Sequence, residues 1–336
     1  MLLAKNVVGN QQDWAQYITI ADGHKTPVLN RLPVGDKPVN VLKQYQADSY
    51  TEPTPVAWID GKDWDVFESA AKNRGELKAR AQEVVKTASV SRKAQDITDA
   101  AGVADELARE IKKKLVETSR TIEATICCDQ EAAEDDGTTG DQTRGMGKWI
   151  QNGAQALYPV PVAFRTPTAS VYSDTKANLN EDAVMAILES VWLQTGQSDE
   201  TRMLMCGSQL KKRFKDFQLY IPSALNTQST ARVTTRTEGD NRLGSSIDFY
   251  DSEFGELELH LTRWNAHPNF SGGSATKSKW RGYIINPQMW ALAWNQKPTV
   301  HQLEFRGGSY NAAINTIWML LCRNPVCEGK IDPSDA

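Results

Sequence analysis

The sequence predicts an α+β protein, and three observations carry that prediction. From Val103 to about Glu131, apolar or small residues recur in steps of three and four: Ala104, Leu107, Ala108, Ile111, Leu115, Thr118, Ile122 and Ile126. Such spacing marks one face of a long helix. Beyond residue 165, helical patterns alternate with short strand-like runs. Near the C-terminal end, Asn311 to Arg323 reads as a strand of ~36–43 Å at ~3.3 Å per residue, a match in length for the helix and a partner to lie beside it.

The chain has 336 residues, 40% apolar and 24% charged, enough for a core and an ordinary polar surface. Its 38 cations and 42 anions leave a net charge of −4. A protein built to grip bare nucleic acid carries a basic excess or a basic domain, and neither is present. The five cysteines are an odd number: Cys127 and Cys128 are adjacent, and Cys206, Cys322 and Cys327 are scattered. With no apolar targeting stretch in residues 1–6, this pattern predicts reduced thiols in a cytosolic setting. The longest apolar run, Ile317 to Cys322, falls far short of the ~18 residues of a membrane span.

Residues 1–50 read as an arm. Pro27, Pro33 and Pro38 exclude a long helix from about residue 26, and short apolar groups recur without helical period. The aromatics Trp14, Tyr17, Tyr45 and Tyr50 favour an arm lying across something else over a disordered leader. Residues 51–92 read as a long excursion with a turn at Lys72-Asn73-Arg74-Gly75, returning through a β-branched run that predicts a strand. Charges on both sides of the return predict that it is not buried within its own subunit.

The helix follows. Asp96 or Asp99 is placed to cap a lead-in turn, and Asp105–Arg109 and Glu110–Lys114 are spaced as i,i+4 ion pairs. About 29 residues make a rod of ~43 Å, a structural beam, with a coiled coil as the competing reading. The acidic stretch Glu131 to Asp141 ends it; its spacing does not match a calcium-binding EF-hand loop, and a solvated loop is preferred.

In the α/β region, Asn180 precedes a helix with Val184, Ile187, Leu188, Val191 and Trp192 on one face. Met203 to Cys206 reads as a buried strand, and Ser208 caps a helix carrying Leu210, Phe214 and Phe217. Glu256 to Leu261 alternates as a half-buried antiparallel strand should. Tyr283 to Ile285 and Val300 to Phe305 are further strands.

No chemistry emerges from the motifs. His24, His260, His267 and His301 form no HExxH pair, and Cys322 and Cys327 lack the spacing of a zinc knuckle. Gly145-Met146-Gly147-Lys148 is not a phosphate loop, and no serine sits in a GxSxG elbow. The expectation is no enzyme, no metal and no cofactor. Arg232, Arg236 and Arg242, with the Lys277–Arg281 cluster, allow at most a weak contact with DNA, a solvated loop being the preferred reading. Trp58, Trp64, Trp264, Trp280, Trp290 and Trp294 suit protein contacts or core filling.

Six short motifs point further: Thr26-Pro27-Val28-Leu29, Tyr45-Gln46-Ala47-Asp48, Val90-Ser91, Ala101 through Ala108, Thr121-Ile122-Glu123, and Phe254-Gly255-Glu256-Leu257. In these motifs and in the order of its segments the chain resembles the major capsid proteins of tailed bacteriophages with the Hong Kong 97 type fold. The resemblance implies an N-terminal arm at 1–50 and an extended loop at 51–92. A peripheral domain follows at 93–165 with a spine helix at 94–133, then an axial domain at 166–299 and a closing strand at 300–336. It implies a coat protein that assembles as pentamers and hexamers into an icosahedral shell around double-stranded DNA. The implied partners are copies of itself, a separate scaffolding protein, a portal and a cementing protein, with no membrane involved. Assembly is placed in the host cytoplasm, with the virion capsid as destination. A decoration or tail-tube subunit is the runner-up. Lys72, Arg74, Lys78 and Arg80, crowded at the excursion's tip, are the expected inter-subunit contacts, with the acidic stretch Glu131 to Asp136 of a neighbour as one partner. Leu107, Ile111, Leu115, Ile122 and Ile126 are the expected core face of the spine helix.

Overall fold

The computed structural model describes residues 23, 25–50, 53, 55, 57–63, 74–96, 105–195, 201–217 and 248–334. Its elements run β1 (Leu42–Ala47), β2 (Gly75–Arg80), β3 (Gln82–Ser91), α1 (Arg92–Asp96), α2 (Glu106–Ile126), α3 (Met146–Trp149), β4 (Val171–Tyr172), α4 (Glu181–Thr195), β5 (Arg202–Cys206), α5 (Ser208–Phe217), β6 (Phe249–Ser252), β7 (Gly255–Leu261), α6 (Ala275–Trp280), β8 (Gly282–Ile285), β9 (Trp290–Arg306), β10 (Ser309–Cys322) and β11 (Gly329–Ile331). The described residues fall into two compact units. One takes those of Val84–Arg120 and Gln296–Thr316; the other takes those of Thr26–Glu83, Thr121–Asn295 and from Ile317 onward.

The first unit holds most of the three-stranded sheet, in the order β3-β10-β9. Here β3 alternates, with Val84, Ala88 and Val90 buried, and β2 before it buries Leu77 and Ala79. The return limb of the excursion therefore buries one face within its own chain, contrary to the expectation drawn from its charges. Alanine carries little hydropathic signal, so a buried face written Leu-x-Ala-x-Ala is masked by the lysines and arginines between. Gly307 and Gly308, with φ of 65° and 77°, make a two-residue turn joining β9 to β10. Those positive angles suit the right-handed twist of a hairpin and are reached without strain by glycine.

The beam helix is shorter than expected. α2 has 21 residues, about 32 Å, and its N-terminus is capped by Asp105, whose Oδ1 accepts from Ala108 N at 3.0 Å. Because that carboxylate is engaged with the backbone, Arg109 turns to Glu106 at 3.2 Å, and Lys114 to Glu117 at 2.7 Å. These are i,i+3 pairs in place of the expected i,i+4 ones. Asp96 pairs with Arg92, and Asp99 lies outside the described residues. At the other end, long-range partners take over the backbone before residue 133. Asp129 N donates to Ser271 O at 3.0 Å, Ala266 N to Cys127 O at 3.1 Å, and Gly147 N to Cys128 O at 3.1 Å. The helix stops where these tertiary hydrogen bonds begin.

The second unit is built on a six-stranded mixed sheet, β4-β11-β8-β5-β7-β6. β5 runs parallel to β7 and antiparallel to β8, while β6 is antiparallel to β7. β7, whose alternation reads as an antiparallel strand, pairs antiparallel with β6 and also parallel with β5. Asn180 caps α4 by accepting from Ala183 N at 2.9 Å. Val184, Ile187, Leu188 and Val191 then pack with Leu204, Cys206, Leu210, Phe214, Leu257, Leu259, Ile284 and Ile331 in one buried cluster. β1 pairs antiparallel with β2, from Leu42 opposite Arg80 to Ala47 opposite Gly75. The expected boundary at residue 299 lies inside the continuous strand β9.

Candidate assembly interface

Two surfaces are candidates for self-association: the excursion's return limb and the β9–β10 hairpin. In the first, β2 points Leu77 and Ala79 to the buried side and Lys78 and Arg80 to the other. Arg80 does not stand free for a neighbour. Its Nε bonds Asp141 Oδ1 at 2.6 Å, and one Nη contacts Glu134 at 2.8 Å and the Tyr158 hydroxyl at 2.9 Å. The Tyr158 hydroxyl also donates to Glu134. The acidic loop therefore supplies partners for Arg80 from the same chain. Burial pulls the guanidinium's pKa down, but Asp141 and Tyr158 outweigh it and hold it above the ordinary value.

The other three cations differ. Arg74 lies 3.7 Å from Asp48, both largely exposed, and Lys78 sits 3.1 Å from Glu76. An exposed pair such as Arg74–Asp48 is worth ~0–1 kcal/mol and leaves both groups available for exchange, whereas Lys78 is part-buried and also lies 5.9 Å from the centroid of the Tyr158 ring. Lys72 and Trp64 lie outside the described residues, as do His24, Arg232, Arg236 and Arg242.

The hairpin was not foreseen as a unit. Residues 297–306 of β9 are exposed without interruption, on the outer edge of the three-stranded sheet. Val300, Leu303 and Phe305 lie in that run, Leu303 and Phe305 each about half exposed, and the Phe305 ring meets Tyr310 edge-on at 5.2 Å between centroids. A groove of about 360 Å³ beside it is lined by Gln95, Asp105, Leu107, Gln302, Leu303, Tyr310 and Asn311. An open edge with unpaired N–H and C=O groups and exposed apolar side chains is a template for pairing. Gly307-Gly308 between two alternating runs is the sequence signal that finds it.

The expected helix face is divided. Ile122 and Ile126 are fully buried, whereas Leu107, Ile111 and Leu115 are half-buried. The Lys277–Arg281 cluster is no phosphate site at Arg281, which is fully buried. Its guanidinium meets Asp129 at 2.8 Å and Asp332 at 2.6 Å, and Lys330 completes the set 3.1 Å from Asp129. Burial alone raises the Asp129 pKa, but Lys330 and Arg281 outweigh it and hold the carboxyl below its usual range. Gly147 and Gly272 make room: a Cβ at either would fall 1.9 Å or 2.4 Å from an Asp129 carboxylate oxygen. Trp264 and Trp290 are buried, so they fill core; Trp58 is exposed. All five cysteines are buried and free. Among the described residues, no group of three or more His, Cys, Asp or Glu is placed to hold a metal ion, and no helix is long and apolar enough to cross a membrane.

This architecture, a long helix with a strand hairpin and an α/β sheet domain, is that of the Hong Kong 97 type capsid fold. Capsid structures share it over essentially their whole length. The chain superposes on a chain of a structure from Mycobacterium phage Ogopogo with a TM-score of 0.60 at 12% identity, covering 99% of this chain and 100% of that one. The capsid of a native GTA particle gives 0.62 at 10% identity, covering 98% and 97%. The capsid of cyanophage P-SCSP1u gives 0.61 at 8% identity, covering 99% and 97%. No curated protein matches by sequence. The model of the SU10 major capsid protein family matches residues 3–333. The chain belongs to that family: it is a bacteriophage major capsid protein, the building block of an icosahedral shell.

Proposed function

We propose that copies of this chain associate as pentamers and hexamers and close around packaged double-stranded DNA, assembling in the host cytoplasm with a scaffolding protein and a portal. The reading keeps the arm at 1–50, the extended loop at 51–92, peripheral segments at 93–165 and 300–336, and the axial segment at 166–299. A cementing protein joins the shell after assembly. The role is architectural and non-enzymatic. A net charge of −4 suits an inner wall that contacts DNA weakly and lets it move during packaging.

The observation that carries this reading is the β9 edge. Ten consecutive exposed residues on one edge strand, with Val300, Leu303 and Phe305 among them, are a poor design for a monomer and a good one for a repeated contact. Arg74 and Lys78 on the return limb are proposed as exchangeable contacts at the same boundaries. The test is Leu303→Lys combined with Phe305→Lys. Both side chains are exposed, so circular dichroism and melting of the subunit stay within a few degrees of wild type, and particles fail to form. Normal particle yield from the double variant would remove the hairpin from the interface.

A further inference from the structure

Residues 26–32 form a single helical turn: Asn30 N donates to Thr26 O at 3.3 Å, and Arg31 N and Leu32 N to Val28 O at 3.0 and 3.1 Å. A turn of this kind leaves its first N–H groups without carbonyl partners. Here a side chain from α2 supplies them. Leu29 N donates to Glu123 Oε2 at 3.0 Å, Val28 N bonds the same carboxyl, and Oε1 accepts from Thr262 Oγ1 at 3.3 Å. Glu123 and Val28 are fully buried, and Thr26 is buried as well.

We propose that Glu123 is a proton-sensitive latch for the arm: residues 26–32 dock tightly on the protonated carboxyl and loosen as it ionises. With the arm in place, water is excluded, and an ionised carboxylate there costs more than its hydrogen bonds return. With the arm lifted, the same carboxyl meets water. Burial is the largest influence and displaces the titration from 4.5 up to about 7, against the opposing N–H groups of Leu29 and Val28, the Thr262 hydroxyl and the charge of Arg31.

The docked state thus binds the proton more tightly than the undocked one. Docking is strongest toward pH 4.5 and weakens as pH rises through about 7. The other charged and titratable groups around the site are few. Arg31 sits on the arm's own turn. The Cys127 thiol, one turn along from Glu123, is pushed up by burial and by Glu123 and stays protonated. On β7, His260 lies 3.0 Å from Glu258, and burial, then the charge of Arg31, hold its pKa below 6.5.

The test is hydrogen exchange at the Val28 and Leu29 amides of the full-length, unassembled chain between pH 5.5 and 8.5, expressed as protection factors. Wild-type protection is expected to fall across this range, by at most about thirtyfold, the limit reached if the undocked carboxyl titrates at the free value of 4.5. Glu123→Gln, which cannot ionise, should give a flat profile. A flat wild-type profile overturns the latch, and so does a Glu123→Gln profile with the wild-type slope, which would point to His260. Should Glu123→Gln fail to fold, His260→Gln decides: it leaves the Glu123 carboxyl in place, so the wild-type fall in protection persists if Glu123 is the switch, and a flat profile overturns the proposal.

Discussion

The main-chain nitrogen of Leu29 lies 3.0 Å from an oxygen of the Glu123 carboxyl group, joining positions 94 residues apart in the chain. Leu29 closes the Thr26-Pro27-Val28-Leu29 motif, and Glu123 closes Thr121-Ile122-Glu123. Two short patterns that look independent along the sequence are the two halves of one contact. The turn at residues 26–32 is held by a side chain of α2.

Arg80 is expected to matter to the subunit and not to the contact between subunits. Arg80→Gln removes hydrogen bonds to Asp141, Glu134 and Tyr158 and leaves two carboxylates without their cation. A loss of about 1–3 kcal/mol in urea denaturation is predicted. Arg74→Gln and Lys78→Gln should change stability by less than about 0.5 kcal/mol while lowering particle yield.

The Arg281 network is expected to be far more costly to break. Arg281→Met leaves Asp129 and Asp332 short of a fully buried partner, and about 3–5 kcal/mol is predicted. Asp129 also links stability to pH. Its folded pKa lies below 3.8, so its contribution is complete above 3.8 and is lost as pH falls below it. Melting temperatures between pH 5 and pH 2 should fall more steeply for wild type than for Asp129→Asn.

The spine helix should respond unevenly along its length. Ile122→Ala empties a fully buried site and is expected to cost about 2–5 kcal/mol. Ile111→Ala, at a half-buried position, should cost well under half of that. Equal losses in chemical denaturation would place Ile111 in the same core as Ile122.

The thiols should be silent. Burial pushes Cys128 up to about 11 and Cys206 up to about 12, so neither carries thiolate at neutral pH. A thiol reagent should titrate five groups in denaturant and almost none in the native subunit, and particles should show no disulfide ladder on a non-reducing gel.

Much of the fold is legible in the sequence because it is local. Asn180 before Val184, Ile187, Leu188 and Val191 announces α4 and its cap, and the alternation at Glu256 to Leu261 announces β7. What was illegible is what depends on distant partners. Nothing near Ile126 in sequence says that Ser271, Ala266 and Gly147 will take over the backbone there and end the helix. Nothing near Lys277 distinguishes Arg281, fully buried between two aspartates, from its solvated lysine neighbours. At the candidate interface, the charges of β2 drew attention to Arg80, whose partners Glu134 and Asp141 sit more than fifty residues away in the same chain. The exposed hairpin, by contrast, has a local signal in Gly307-Gly308.

Electron microscopy of the expressed protein, with and without a co-expressed scaffolding protein, tests the central claim most directly. A shell-forming coat protein is expected to give closed icosahedral particles tens of nanometres across, with subunits clustered in fives and sixes. Short tubes, or subunits that stay monomeric at high concentration in both preparations, would contradict it.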